Sequence, residues 1–359
     1  MLNWYFRLSE SCTSLQAIKL GPYQGATFGV ELIPNVRAQA LVTQLEHDPK
    51  PVLDAFYEAH GLMVFRDLND INDDPSLLVR LSRLFGSGVE NYHKTLTPER
   101  LIHSQVPEVI VISNLPPISF PVPDLPDPPT MPDGKLPMQF PHRKGWHTDQ
   151  SFRRPPPDIS LFYAMQPSPK GQGQTLYADG TAAYSSLSRE MQQTVAGLSA
   201  IHAIPWTGRG EDAVRAGEIP TPLEPHQASQ AQPIVRIHPV TGQPALYLCE
   251  EGQLDWILGP VADMDTGPDG AGGRLIYKLM THYTQPQFTY AHDWDAGDLV
   301  IHDNRNLLHS ATWFDAEQHG RIMWRTTVSG NAGEEYAGER KSWLPPEEES
   351  LMGDLDYAN

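Results

Sequence analysis

Trp146-His147-Thr148-Asp149 places an imidazole and a carboxylate two residues apart. In an extended chain residues i and i+2 point to the same side, so His147 and Asp149 can aim at one point. Two ligands do not make a metal site. The segment 297–325 holds the remaining candidates: His309, then Arg321 and Arg325. How the chain folds, and what it does, turns on whether these two segments meet.

On either side of the motif the chain is a succession of short strand-like runs between Gly/Pro turns. Segments 62–66, 108–113, 159–165, 234–238, 245–249, 288–294, 298–302 and 321–329 read as strands, and 171–179 as a turn and then a strand. Helical spacing occurs at 52–60, 74–85, 182–198 and 275–283; in the second of these, Leu77, Leu78, Leu81 and Leu84 recur every three or four residues. Many short strands and few helices predict a mainly β fold with flanking helices, a sandwich or barrel. Residues 1–24 read as a leader, 25–330 as one domain, and 331–359 as an acidic, surface-packed or partly disordered tail. Segment 116–141 contains 10 of the 34 prolines, counted along the sequence. Such a stretch is irregular: a linker, a surface loop, or a lid, because it runs directly into His147. Segment 205–232 reads as a partly helical insertion.

The chain has 359 residues and a formal net charge of -18. An acidic surface argues against nucleic acid and anionic membranes as partners, while local arginines still permit a small anionic substrate. Two cysteines, Cys12 and Cys249, imply no disulfide framework, and Cys249 reads as a small buried hydrophobe. Neither a signal-peptide pattern nor an apolar run of membrane length is present, so a soluble cytoplasmic protein is expected.

His147, Asp149 and His309 together would form a facial set of two imidazoles and one carboxylate, suited to non-haem Fe(II). The same ligand types can hold Zn(II), which leaves a jelly-roll zinc hydrolase as an alternative. Arg321 and Thr175 separate the two readings. Arg offers a planar fork for a carboxylate and threonine adds a donor, a clamp that an oxygenase with a carboxylate co-substrate needs and a hydrolase does not. A binding module without activity would have little use for His147, Asp149, His309 and Arg321 together.

These motifs, with Gly173-Gln174-Thr175-Leu176, Ile237-His238-Pro239-Val240-Thr241-Gly242, the run from Gly297 through Asp303-Asn304-Arg305, Leu308-His309 and Arg321-Ile322-Met323-Trp324-Arg325, give a sequence that resembles the taurine dioxygenase (TauD/TfdA-like) family. The resemblance runs from about Gly25 to Gly330. It implies a double-stranded β-helix (jelly-roll, cupin-like) core, Fe(II) on His147, Asp149 and His309, and 2-oxoglutarate on Arg321 and Thr175 with O2 as second co-substrate. It also implies homodimers or homotetramers. The expected reaction is oxidation of an unactivated C–H of a small anionic or zwitterionic molecule, with succinate and CO2 as co-products. Asp149 favours hydroxylation, or desaturation or ring closure by the same oxidant, because related halogenases lack the carboxylate.

Arg325 lies at the family's substrate position and is expected to bind a substrate anion, a structural salt bridge to a nearby Asp being the alternative. Asn91 stands near the place of a taurine-binding histidine and Arg143 near that of an asparagine, departures that count against taurine itself. Glu90 either meets a substrate amine or is a solvated loop residue. Arg143 either adds a positive group or is an exposed loop arginine. Phe152, Trp146 and Trp313 are expected as aromatic walls or core. His302 is expected to make a structural hydrogen bond rather than bind metal.

Overall fold

The computed structural model describes residues 15–20, 28–95, 97–127, 129–137 and 144–344. Arg143, Cys12 and the glutamates at 347–349 lie outside them. In chain order the elements are β1 (Leu15–Lys19), β2 (Val30–Pro34), α1 (Ala38–His47), α2 (Lys50–Glu58), β3 (Leu62–Phe65), α3 (Ser76–Arg83), β4 (Gly88–Val89), β5 (Ile110–Ser113), β6 (Ile159–Gln166), β7 (Thr175–Asp179), α4 (Gly180–Ser185), α5 (Arg189–Val195), β8 (Ser199–His202), α6 (Glu211–Ala216), β9 (Gln230–Pro233), β10 (Val235–Ile237), β11 (Pro244–Leu246), α7 (Ala271–Tyr283), β12 (Thr289–His292), β13 (Leu299–Asp303), β14 (Leu307–Ala311) and β15 (Ile322–Ser329).

Two sheets form the centre. The larger has the order β1-β2-β3-β13-β6-β15-β4, with β5 also on β15; the smaller is β12-β7-β14. Every described pair is antiparallel except β2 with β3. The period of two along each strand decides what each face does. On β6, Ile159, Leu161 and Tyr163 join the apolar layer under α1, α2 and α3. Their neighbours Ser160 and Phe162 point inward. On β7 and β14, Leu176, Ala178 and Leu308 pack outward against α4 and α7. The inward Tyr177 and Leu307 meet Val64, Val300 and Met323 of the large sheet. The result is four layers with one interior between the sheets, no helix among the described residues being long and apolar enough to cross a membrane.

Three local expectations are corrected. The helix expected at 182–198 is two helices: Ser188 caps α5 by accepting from Met191 N, and Asp179 caps α4. Helix α1 was not expected, although its buried Leu41, Val42 and Leu45 carry the helical spacing. The strand β14 that carries His309 was not expected either. Its buried polar neighbours obscure the alternation.

In the described part of the C-terminal tail, 331–344, Ala332, Tyr336 and Leu344 are buried while most of the other residues are exposed. Tyr336 is buried, its hydroxyl donates to Gln232 Oε1, and Asn331 N donates to Asp158 Oδ2. Asp158 is buried with its other oxygen unpartnered, and burial pushes its carboxyl up to about 6. A raised carboxylate pKa means the folded chain holds a proton that the unfolded chain has lost, so this group costs stability as pH rises through about 4 to 6. Asp158→Asn is therefore expected to stabilise the protein at pH 7.5 by about 1–3 kcal/mol and to change little at pH 4. Urea unfolding at the two pH values measures it.

Candidate metal centre

The two segments meet through backbone pairing. His147 N donates to His309 O at 2.9 Å and His309 N to His147 O at 2.8 Å, an isolated antiparallel bridge that fastens the motif to β14. The imidazole centroids lie 4.1 Å apart. Ligand atoms of His147, Asp149 and His309 all lie within 4.8 Å of one another, and this is the one such group of three among the described residues. The Nδ1 of His147 is 2.8 Å from Gly145 O. A carbonyl only accepts, so Nδ1 carries the proton and Nε2 keeps its lone pair. Burial lowers the pKa of both rings, that of His309 strongly. Neutral imidazoles are what a metal requires.

Asp149 is positioned from both sides. Its Oδ2 accepts from Ser160 Oγ at 2.6 Å, and its backbone N donates to Asn304 Oδ1 at 3.2 Å. Asn304 in turn donates from Nδ2 to Ser160 Oγ at 2.9 Å, and its carbonyl accepts from Thr148 Oγ at 2.8 Å. Burial works against the Asp149 charge, but Arg325, 2.5 Å away, with His302 and His309, holds the carboxyl well below the usual range. The Asp303-Asn304-Arg305 run is thus a support for Asp149, while Asp303 binds Arg305 and His238. Ser160→Ala is expected to weaken Mn(II) binding roughly 10–100-fold, the usual effect of losing an outer-shell partner. Calorimetric Mn(II) titration of the two proteins checks it.

The donor set suits Fe(II), and a second feature suits a dicarboxylate. Arg321 is buried, yet its Nε and Nη2 have no hydrogen-bond partner in the protein. Burial lowers its pKa to about 10. A buried unpaired guanidinium is costly unless an anion joins it. Thr175, inward on β7, accepts from Trp294 Nε1 at 3.0 Å, which leaves its own hydroxyl proton to donate. Arg321, Thr175, His147, Asp149 and His309 all line one cavity of about 1030 Å³.

Of the expected substrate contacts, Arg325 and Phe152 line this cavity, as does Trp313. Arg325 is also the salt-bridge partner of Asp149, the structural use expected as the alternative to substrate binding. Asn91 and Glu90 do not line it. Asn91 accepts from His93 N as the cap of a short turn, and Glu90 is buried against Arg153 rather than solvated. Trp146 is core. The expectation for His302 is corrected: neither ring nitrogen has a hydrogen bond, its Nε2 is 3.6 Å from Asp149 Oδ2, and it faces the cavity from β13. In the proline-rich segment, Phe120, Val122 and Leu125 line the cavity. Segment 205–232 contributes Trp206 and Gln227. Arg153, Ser160 and Trp343 went unread in the sequence. Only the burial of a serine in an apolar strand hinted at Ser160, and no local signal marks the other two.

The sequence is similar to known proteins over most of its length. Residues 19–327 match the family described as "Taurine catabolism dioxygenase TauD, TfdA family". The (S)-phenoxypropionate/alpha-ketoglutarate-dioxygenase of Sphingobium herbicidovorans is 32% identical over 205 residues, covering 54% of this chain and 64% of that protein. Pentalenolactone F synthase of Streptomyces arenae is 32% identical over 193 residues, covering 52% of this chain and 61% of that one. The matches thus span under two-thirds of these relatives' length. The crystal structure of AAD-2 in complex with Mn(II) and N-oxalylglycine superposes with a TM-score of 0.61 at 24% identity, over 89% of this chain and 98% of that one. At that identity the likeness concerns the fold.

Proposed function

The chain belongs to the TauD, TfdA dioxygenase family, and on that premise we propose that it is an Fe(II)- and 2-oxoglutarate-dependent dioxygenase that hydroxylates a C–H of a small organic anion. The observation that carries the reading is the joint presence, in one cavity, of three metal-ligand groups within 4.8 Å of one another and the unpartnered Arg321 guanidinium. The zinc-hydrolase alternative finds no support, since the family match is to dioxygenases and hydrolysis has no use for Arg321.

His147, Asp149 and His309 would hold Fe(II), which with 2-oxoglutarate and O2 supplies the oxidising chemistry and yields succinate and CO2. The protein's own residues do the rest. Arg321 and the Thr175 hydroxyl hold the distal carboxylate of 2-oxoglutarate and so set its orientation. Ser160 and Asn304 keep Asp149 in place. Arg325, fixed by Asp149, has an unpartnered Nε for a substrate anion. Phe152, Trp313 and the proline-rich wall exclude water from the reacting C–H. In this reading residues 25–330 form one domain, the two facing sheets are its double-stranded β-helix core, and segment 116–141 acts as a lid. Desaturation or cyclisation would use the same groups.

The test is oxygen-dependent succinate formation from 2-oxoglutarate with Fe(II). Succinate that rises with a panel of small sulfonates, amino acids and carboxylates is expected. Failure of the metal-loaded protein to bind 2-oxoglutarate would sink the reading.

A further inference from the structure

We propose that the C-terminal segment 331–344 is part of the active site: it is a strap whose tip, Trp343, forms the cavity wall on the side of Arg325 and limits the size of the substrate accepted. This rests on the dioxygenase reading and deepens it.

The strap lies beyond residues 19–327, the stretch that matches the family. Its path is fixed by directed bonds to Arg305, Arg236 and Arg154. Arg305 donates from Nη1 to Asn331 O at 3.0 Å. Arg236, on β10, donates to Ala332 O and lies against the Tyr247 and Tyr336 rings, 4.4 and 5.0 Å from their centroids. Arg154 lies 4.8 Å from the Tyr336 ring and donates from Nη2 to Glu339 Oε1 at 2.8 Å. The backbone secures the far end: Ser342 N donates to Arg154 O at 2.8 Å, and Arg154 N to Ser342 Oγ at 2.9 Å.

These bonds fall on the turn that follows Asp149. Gln150 there has a φ of +52°, a left-handed conformation that a residue with a Cβ keeps only where its surroundings fix it. Gln232 Nε2 donates to Ser151 O and to Arg153 O, both at 2.8 Å, and Gln232 Oε1 accepts from the Tyr336 hydroxyl at 2.8 Å. Residues 151, 153 and 154 are thus tied to the strap directly or through Gln232. From this anchorage Trp343 reaches the cavity, which it lines beside Gln150, Phe152 and Arg153, its ring centroid 5.0 Å from the Arg153 guanidinium. Arg153 donates to Glu90 Oε1 at 2.5 Å, and Glu90 N donates to Thr327 O at 2.9 Å, two residues beyond Arg325 on β15. Trp343 therefore closes the cavity on the side where Arg325 would anchor a substrate. An indole is a large and rigid wall, and a substrate body that widens toward it meets the strap.

Phenylacetate and 2-naphthylacetate share one anchoring group and differ by a fused ring. Their dissociation constants are measured by calorimetry on protein loaded with Mn(II) and 2-oxoglutarate, so that no turnover is needed. Trp343→Ala is expected to shift the ratio of the two constants at least ~10-fold in favour of 2-naphthylacetate, about what one added carbon group is worth in a fitted pocket. Trp343→Phe should shift it less. Arg154 does not line the cavity, yet Arg154→Ala should move the ratio in the same direction, because it releases the strap. Each variant's thermal shift on adding 2-oxoglutarate shows that it is folded. A ratio that Trp343→Ala leaves unchanged overturns this proposal alone. So does an Arg154→Ala variant that is less stable to urea but keeps the wild-type ratio, since the strap would then serve the fold only. Binding of neither probe to wild type or Trp343→Ala, with 2-oxoglutarate binding intact, also overturns it. Loss of 2-oxoglutarate binding in the wild type would overturn the dioxygenase reading and this one with it.

Discussion

Arg321→Ala is expected to weaken 2-oxoglutarate binding roughly 30–3000-fold, the range for removing one partner of a buried charge pair, while Mn(II) affinity stays within about twofold. The expectation comes from the arginine's environment. Its Nε and Nη2 are buried without acceptors, and its pKa is lowered to about 10 by burial alone among groups nearby that would lower it. An arginine that served the fold would have protein acceptors, and its loss would destabilise. Here the guanidinium has no protein acceptor at Nε or Nη2 and lies 5.7 Å from the Phe162 ring centroid. Truncation should therefore leave the melting temperature of the ligand-free protein unchanged or raise it. It should also abolish the rise that 2-oxoglutarate gives the wild type. Calorimetry with each ligand, and melting curves with and without 2-oxoglutarate, decide it. Parallel losses of metal and 2-oxoglutarate affinity would assign Arg321 to folding instead.

Asp149→Asn and His309→Ala should both weaken Mn(II) binding by more than about 100-fold, beyond the usual range for outer-shell changes. They should differ sharply in metal-free stability. Asp149 carries Arg325 on one oxygen and Ser160 on the other, and Arg325 is 15% exposed. Replacing the carboxylate leaves a largely buried guanidinium without its counter-charge, a loss of about 3–5 kcal/mol. His309 has no hydrogen-bond partner at Nδ1 and stacks on other rings at the cavity wall, the nearest being His147 at 4.1 Å. Its removal should cost far less. Urea denaturation of the metal-free variants, beside metal titrations, gives both quantities. Equal destabilisation by the two would mean that the Asp149–Arg325 pair contributes little to the folded state.

Much of the centre was legible because its groups are held by local periodicity. His147 and Asp149 share a side of an extended stretch, and Thr175, Tyr177 and Asp179 alternate inward on β7. Arg321 and Arg325 flank the interior face of β15 in the same way. The roles of Thr175, Arg321 and Arg325 came from the chemistry of a carboxylate clamp and from the family resemblance; period-two reasoning reaches the His147 and Asp149 pair without coordinates. It fails where a residue's use depends on a partner far along the chain. Glu90 reads as a loop carboxylate until Arg153, 63 residues away, is brought against it. His302 reads as a strand histidine with a structural bond until β13 turns it toward Asp149 with both nitrogens unpaired. The break between α4 and α5 was missed because Ser186-Leu187-Ser188 does not interrupt the apolar spacing, and only the cap bond from Met191 to Ser188 marks the new start.

The sequence by itself determined the ligand types, the mainly β character and the family, because these depend on residue identity, spacing and short-range pattern. The tertiary structure decided that the motif and β14 pair through the backbone of His147 and His309. It decided that Arg321 stays without a protein acceptor, and that Glu90 belongs to Arg153. Those are questions of burial and of which distant charge fills the nearest hydrogen bond. A buried charge is settled by whatever group packs beside it, and that neighbour is chosen by the whole fold.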